Sequence, residues 1–112
     1  MGYYATFYGG FTTFPIPDKV REKFPYMEYS VSKNKNTCEI CFDGYDKYYE
    51  EEWIGKDGVL ANIQPYVISG EVIFAGEDDC FWCYKYDCEK HGFLEGTGRV
   101  EYTFDKEVMR FE

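Results

Sequence analysis

The densest group of reactive side chains in this sequence is Cys80, Cys83, Cys88 and His91, which follow a Cys-x2-Cys-x4-Cys-x2-His spacing. Three thiolates and one imidazole are enough ligands for a closed tetrahedral zinc site. However, the alternating aromatic residues of 80–86 favour a β-strand, which would send Cys80 and Cys83 to opposite faces. We therefore predict no cofactor, and we keep a small zinc-stabilised interaction module as an alternative.

Nucleophilic catalysis would depend on His91, because it is the only histidine that could serve as an imidazole base. His91 stands beside Gly92 at a predicted hairpin tip, where a rigid site that excludes water is hard to build. The acidic segment 76–79 lacks the alternating ligand order of a calcium loop. The glycines of 92–98 are followed by no lysine and open no helix, as a phosphate-binding loop would require. These observations predict that the chain is not an enzyme.

A second pattern interleaves carboxylates with aromatic rings. Aromatic side chains provide contact area at protein interfaces, and carboxylates orient lysine and arginine residues of a partner. One interpretation is that the rings face the core while the carboxylates face water. The other, of equal weight, is a partner-binding surface made of Asp46, Tyr48, Tyr49, Glu50, Glu51, Glu52, Trp53, Glu77, Asp78, Asp79 and Trp82.

The formal charge of −9 is unevenly distributed along the chain. Residues 1–36 carry five Lys/Arg against three Asp/Glu, whereas residues 37–112 carry seven against eighteen, so the two parts have net charges of +2 and −11. A negative field repels phosphate backbones and anionic membranes and attracts basic surfaces, including those that hold nucleic acid. We predict a protein partner with a basic surface, no direct nucleic-acid binding and no membrane contact. We also expect the carboxylates after position 36 to gather on one exposed surface.

The length of 112 residues indicates a single domain spanning positions 1–112. Aromatic and β-branched runs bounded by Gly, Pro and polar turns predict strands, and apolar residues at helical spacing predict two short helices. The strands are expected at 3–14, 26–31, 37–42, 66–74 and as a hairpin within 80–104, and the helices at 19–24 and 57–64. This β-α-β-β-α-β order predicts an α+β fold, with a mainly antiparallel sheet carrying both helices on one face. It would be a variant of the ferredoxin-like fold with an added C-terminal hairpin.

The expected compartment is the cytoplasm. No apolar stretch reaches the length of a membrane span, and the opening Met-Gly-Tyr-Tyr lacks the basic and apolar regions of a signal peptide. The five cysteines cannot all pair within one chain, and they are expected to be reduced in a cytosolic protein.

Three segments together resemble a group of small phage and prophage accessory proteins. They are Gly2-Tyr3-Tyr4 leading to Gly9-Gly10, the acidic-aromatic run 45–51, and Ser69-Gly70-Glu71 continuing through 74–79 to Trp82 and Tyr84. The sequence departs from that group by placing cysteines around Trp82. The resemblance implies a virus-encoded accessory protein that acts in the cytoplasm of an infected or lysogenic host cell.

The resemblance and the acidic composition together predict a protein that binds and inhibits a host protein. The expected target is a nucleic-acid-processing or defence enzyme, of the CRISPR or restriction type, and the mechanism is nucleic-acid mimicry or occlusion. Two alternatives remain: the zinc-stabilised module, and a small-ligand-binding domain with an aromatic-lined pocket between sheet and helices.

Overall fold

The part of the chain that the structure describes contains six strands and three short α-helices. The structure is a computed structural model that describes residues 3–25, 27–32 and 36–99, together with residues 103, 106, 107 and 109. The strands are β1 (Tyr4–Thr13), β2 (Glu28–Val31), β3 (Cys38–Lys47), β4 (Val67–Gly76), β5 (Cys80–Asp87) and β6 (Gly92–Arg99). The helices are α1 (Asp18–Arg21), α2 (Glu50–Ile54) and α3 (Val59–Ile63), and a 3-10 turn at Gln64–Tyr66 leads into β4.

The strands form one sheet in the order β2-β3-β1-β4-β5-β6, and every neighbouring pair is antiparallel. β1 lies between β3 and β4, and the β5–β6 hairpin extends the sheet beyond β4. The predicted α+β class with an antiparallel sheet and short helices is confirmed. The specific ferredoxin-like arrangement is not confirmed, because the sheet has six strands and the strand order β2-β3-β1-β4-β5-β6 differs from it.

β3 is longer than predicted and continues through Asp43 and Gly44 to Lys47. Gly44 does not interrupt the strand because it lies opposite Phe7 of β1, and its missing Cβ leaves room for the Phe7 ring. No element was predicted for residues 45–53, and the structure places most of them in the end of β3 and in helix α2. The predicted hairpin is present as β5 and β6, and positions 100–102 and 104 of that prediction lie outside the described residues.

One face of the sheet packs against the helices and contains the hydrophobic core; we call it the helix side. With so few leucines in the chain, aromatic rings fill much of this core. Trp53 of α2 is 3% exposed, and its ring centroid lies 4.8 Å from that of Phe74 and 5.3 Å from those of Phe7 and Phe42. Val20 of α1 and the apolar residues of α3 complete this layer.

The opposite face, which we call the open face, carries the alternate residues of each strand. Tyr8 of β1 is 45% exposed there, and Glu39 and Cys41 of β3 are exposed between the buried Cys38, Ile40 and Phe42. None of the helices in the described ranges has the length and apolar content needed to cross a membrane.

Candidate functional site

A groove runs over β5 and β6 on the helix side, beside α2 and α3. It consists of two adjoining cavities of about 380 and 340 Å³ that share Glu50, Tyr84 and Glu95 in their walls. We call it the acid–aromatic groove. The aromatic part of its wall is formed by Tyr48, Phe81, Trp82, Tyr84 and Phe93, and the rest by Glu50, Ile54, Leu60, Ala61, Gln64, Cys80, Glu95, Thr97 and Gly98.

Side chains of the β5–β6 hairpin alternate between the two faces of the sheet, and this alternation brings many of the groove residues together. Residues directly opposite each other in an antiparallel pair project on the same face. Tyr84 lies opposite Glu95, and Tyr86 lies opposite Phe93, so Glu95 stands beside the Tyr84 ring. Trp82 lies two positions before Tyr84 in β5 and projects on the same face. Its ring stacks on that of Phe74 of β4 at a centroid distance of 5.4 Å.

Helix α2 contributes the opposite wall of the groove. Its first residue is Glu50 and its last is Ile54, and both line the groove. The helix is only five residues long, so its position depends on tertiary packing more than on its own hydrogen bonds. Trp53 provides that packing, because its buried indole fixes the helix against the strands.

Two tyrosine hydroxyls meet in the groove between the carboxylates. The hydroxyl oxygens of Tyr48 and Tyr84 are 2.5 Å apart. Burial raises the pKa of Tyr84, and its hydrogen bond with Tyr48 and the nearby Glu95 carboxylate raise this pKa further. Burial also raises the pKa of Tyr48; its hydrogen bond with Tyr84 opposes this increase, while the charges of Glu50 and Glu95 add to it. Both phenols are therefore neutral hydrogen-bonding groups at physiological pH, next to two carboxylates.

Tyr3 connects the groove to the turn between β4 and β5. Its hydroxyl donates a hydrogen bond to the Asp78 carboxylate, and its ring centroid lies 6.2 Å from that of Trp82. Burial and this hydrogen bond raise the pKa of Tyr3 to about 12. The same hydrogen bond lowers the pKa of Asp78. The predicted acidic turn thus lies close to one end of the aromatic groove.

We expect the raised tyrosine pKa values to appear in an alkaline titration followed by tyrosinate absorbance. In the unfolded chain the tyrosines ionise near pH 10, whereas in the native protein Tyr3, Tyr48 and Tyr84 retain their protons at that pH. Since the folded pKa is the higher one, the stabilisation is complete below the unfolded value and is lost as pH rises from about 10 through about 12. Ionisation of all twelve tyrosines of the native protein in a single step near pH 10 would contradict this assignment.

The predicted partner-binding residues separate into several locations. The groove brings together Tyr48, Glu50 and Trp82. Tyr49 is 56% exposed, and Asp46, Glu51 and Glu52 are also exposed beside it in the chain, while Glu77, Asp78 and Asp79 lie at the turn before β5. The prediction for Trp53 is wrong, because its ring lies in the hydrophobic core and cannot contact a partner.

The expectation that the carboxylates after position 36 share one surface is also wrong. Glu39 and Asp43 alternate with buried residues of β3 and lie on the open face. Glu50 and Glu95 lie on the helix side, in the groove. The physical reason is the two-residue repeat of a strand, which sends carboxylates at different positions in the repeat to opposite sides of the sheet.

The four residues of the alternative zinc interpretation are not brought together. Cys80 and Cys83 lie three positions apart in β5 and so project on opposite faces, as the alternating pattern predicted. Cys88 and His91 lie in the turn before β6, where the His91 carbonyl accepts a hydrogen bond from the Gln64 amide at 2.5 Å. Over the part of the chain that the structure describes, no group of three or more His, Cys, Asp or Glu side chains is arranged to hold a metal ion.

Among the groove residues that are absent from the partner-binding set predicted from the sequence are Tyr84, Phe93 and Glu95. Tyr84 and Trp82 belong to the same face of a predicted strand, which is a signal for their proximity. Glu95 could be placed beside Tyr84 only by counting the β5–β6 register from a known turn, because a shift of one residue would move it to the other face.

No protein-family model matches this chain, and neither a curated protein nor a solved structure shows significant similarity to it. Its function is therefore inferred from the side chains of the groove and from the charge of the molecule.

Proposed function

We propose that this protein binds a basic surface of another protein and that the acid–aromatic groove is its contact site. The observation that supports this most directly is the composition of the groove. Glu50 and Glu95 stand beside a wall of aromatic rings, and no Lys, Arg or His is among the described residues that line it. Such a site offers contact area to apolar groups and a favourable potential to cations.

The overall charge supports the same class of partner. A net charge of −9 steers basic surfaces toward the molecule and accelerates their association at low ionic strength. Long-range attraction of this kind sets the rate of encounter, while contact with the half-buried rings of the groove would determine how long the complex lasts.

The partner in this proposal is a host enzyme that handles nucleic acid, such as a defence nuclease, and the protein acts in the cytoplasm as a phage-type inhibitor. Occlusion of the enzyme's basic surface is favoured over mimicry of a continuous phosphate row. The reason is that the described carboxylates lie on both sides of the sheet and, within the described ranges, form no single negative face. Local contact through the groove requires no such face.

The proposal is tested by competition. The immobilised protein is expected to retain a basic nucleic-acid-binding protein from host extract at low ionic strength and to release it when duplex DNA or RNA is added. Retention should fall steeply with salt, because screening shortens the range of the attraction. Occlusion is excluded if the immobilised protein retains no basic protein at low ionic strength. It is also excluded if the partner binds nucleic acid and this protein at the same time.

The size of the groove favours one alternative, a small-ligand-binding domain. Its larger cavity of about 380 Å³ is large enough for a small organic ligand, since ligand pockets commonly measure about 300–1,000 Å³. Native mass spectrometry of the purified protein distinguishes the two functions. A stoichiometric adduct of constant mass would support a small ligand, and its absence together with capture of a basic protein would support the interaction module.

A further inference from the structure

The two carboxylates of the acid–aromatic groove line the same cavities. Glu50 comes from the start of α2 and Glu95 from the middle of β6, and both carboxylates act on the pKa of the same Tyr48 hydroxyl. Glu95 also acts on Tyr84, whose hydroxyl is 2.5 Å from that of Tyr48. Both carboxylates line the same cavity, so a cation bound there would be attracted by two negative charges.

The groove favours some cations over others, according to the shape and the hydration of the cation. Tyr84 is buried and Phe93 is half-buried, so Phe93 provides the accessible aromatic surface beside the two exposed carboxylates. A guanidinium is planar and weakly hydrated, stacks on rings and offers hydrogen-bond donors along two edges. A lysine ammonium is a compact and strongly hydrated charge, and it would lose more hydration free energy on entering such a site.

The groove also continues beyond the two carboxylates. The second cavity follows β5 and β6 past Trp82 to Thr97 and Gly98. A single free cation would leave this part empty, whereas a peptide segment that carries the cation would fill it. The length of the groove therefore favours an arginine within an extended protein segment as the occupant.

We propose that the acid–aromatic groove is an arginine-binding site, in which a guanidinium of the partner protein lies against the half-buried Phe93 ring and is held by the carboxylates of Glu50 and Glu95. This inference rests on the proposed function, since it identifies which group of the basic partner the groove takes. It assigns binding roles to Phe93 and Glu95 in addition to Tyr48, Glu50 and Trp82.

The test measures binding of a short acetylated and amidated peptide, Gly-Arg-Gly-Arg-Gly, to the full chain by calorimetry and by amide chemical shifts. The probe for comparison is the same peptide with lysine at both positions. We expect the arginine peptide to bind more tightly and to shift the amide signals of residues 48–54, 82–86 and 93–97. Equal affinity for the two peptides, or shifts centred on β2 and β3, would overturn the proposal.

Two charge-matched variants separate the groove from the general field. Glu50→Gln with Glu95→Gln should weaken binding of the arginine peptide by about tenfold, because both carboxylates that would contact the guanidinium are lost. Glu39→Gln with Asp43→Asn removes the same charge from the open face and should weaken it by less than about twofold, as exposed charges at a distance are screened. Circular dichroism establishes that both variants are folded, and Glu95→Gln alone provides a milder version of the same test.

The outcomes also separate this inference from the proposed function. If both double variants weaken binding equally, attraction is a property of the whole molecule; the arginine site is then wrong, while binding to a basic protein can still hold. If the wild-type chain captures no basic protein from host extract, the proposed function itself fails, whatever the peptide does.

Discussion

Replacement of Trp53 with alanine is expected to lower the free energy of unfolding by about 3–5 kcal/mol, the range measured when a large buried aromatic residue is removed. Trp53 is 3% exposed and packs against Phe7, Phe42 and Phe74 with centroid distances of 4.8 to 5.3 Å. Its removal leaves a cavity where a helix and three strands meet, and the surrounding rings cannot close it without moving the strands. Chemical denaturation followed by circular dichroism measures the change.

The matched control is Tyr49→Ala, which lies four positions earlier in the chain and has a ring that is 56% exposed. We expect this variant to lose less than about 1 kcal/mol, since surface substitutions away from special features have small effects. A loss below about 1 kcal/mol for Trp53→Ala as well would show that the indole is not a core residue. The Trp53 variant should also bind arginine peptides more weakly, because α2 would no longer hold Glu50 at the groove.

Replacement of Gly70 with alanine is expected to lower the free energy of unfolding by about 3 kcal/mol, from backbone strain and overpacking together. Gly70 has a φ of +125°, a conformation that residues with a side chain rarely adopt. It lies opposite Phe11 in the β1–β4 pair, and an added Cβ would contact the Gly10 carbonyl and lie 2.7 Å from the Phe11 Cα. Relief of this contact requires the two central strands to separate.

Gly98→Ala provides the control for this substitution. Gly98 also lies in a strand, β6, but a Cβ added there meets no heavy atom within 4 Å. Alanine should therefore leave the stability unchanged or raise it by about 0.5 kcal/mol, because it restricts the unfolded chain more than glycine does. Comparable losses for the two variants would mean that strand glycines are generally required here, and that the conformation of Gly70 has no special importance.

Strand positions could be predicted from the sequence because they depend on local patterns. The aromatic and β-branched runs at 3–14, 66–74 and 80–86 are β1, β4 and most of β5 in the structure. The alternation of Cys80 and Cys83 across β5 followed from the same two-residue repeat. Helix bounds were less accurate: the segment predicted at 19–24 is α1 at Asp18–Arg21, because four helical residues provide too few contacts for a clear periodicity.

Residue types alone could not separate the two tryptophans. Trp53 and Trp82 each follow a run of carboxylates, and both were predicted to contact a partner. Trp53 faces the strands from a five-residue helix and is buried, whereas Trp82 lies in a strand near the edge of the helix layer and lines the groove. The two tryptophans differ in how their elements pack against elements that are distant in the chain. The local sequence pattern does not encode this packing.

By itself the sequence determined the net charge, the aromatic content and the two-residue repeat of the strands, because these depend on residue identity and on neighbours in the chain. Only the tertiary structure decided which carboxylates share a surface. Glu50 and Glu95 meet in one groove because the β5–β6 register and the packing of α2 bring together positions that are far apart in the chain. Such non-local contacts depend on how the whole core fills, and no short stretch of sequence specifies them.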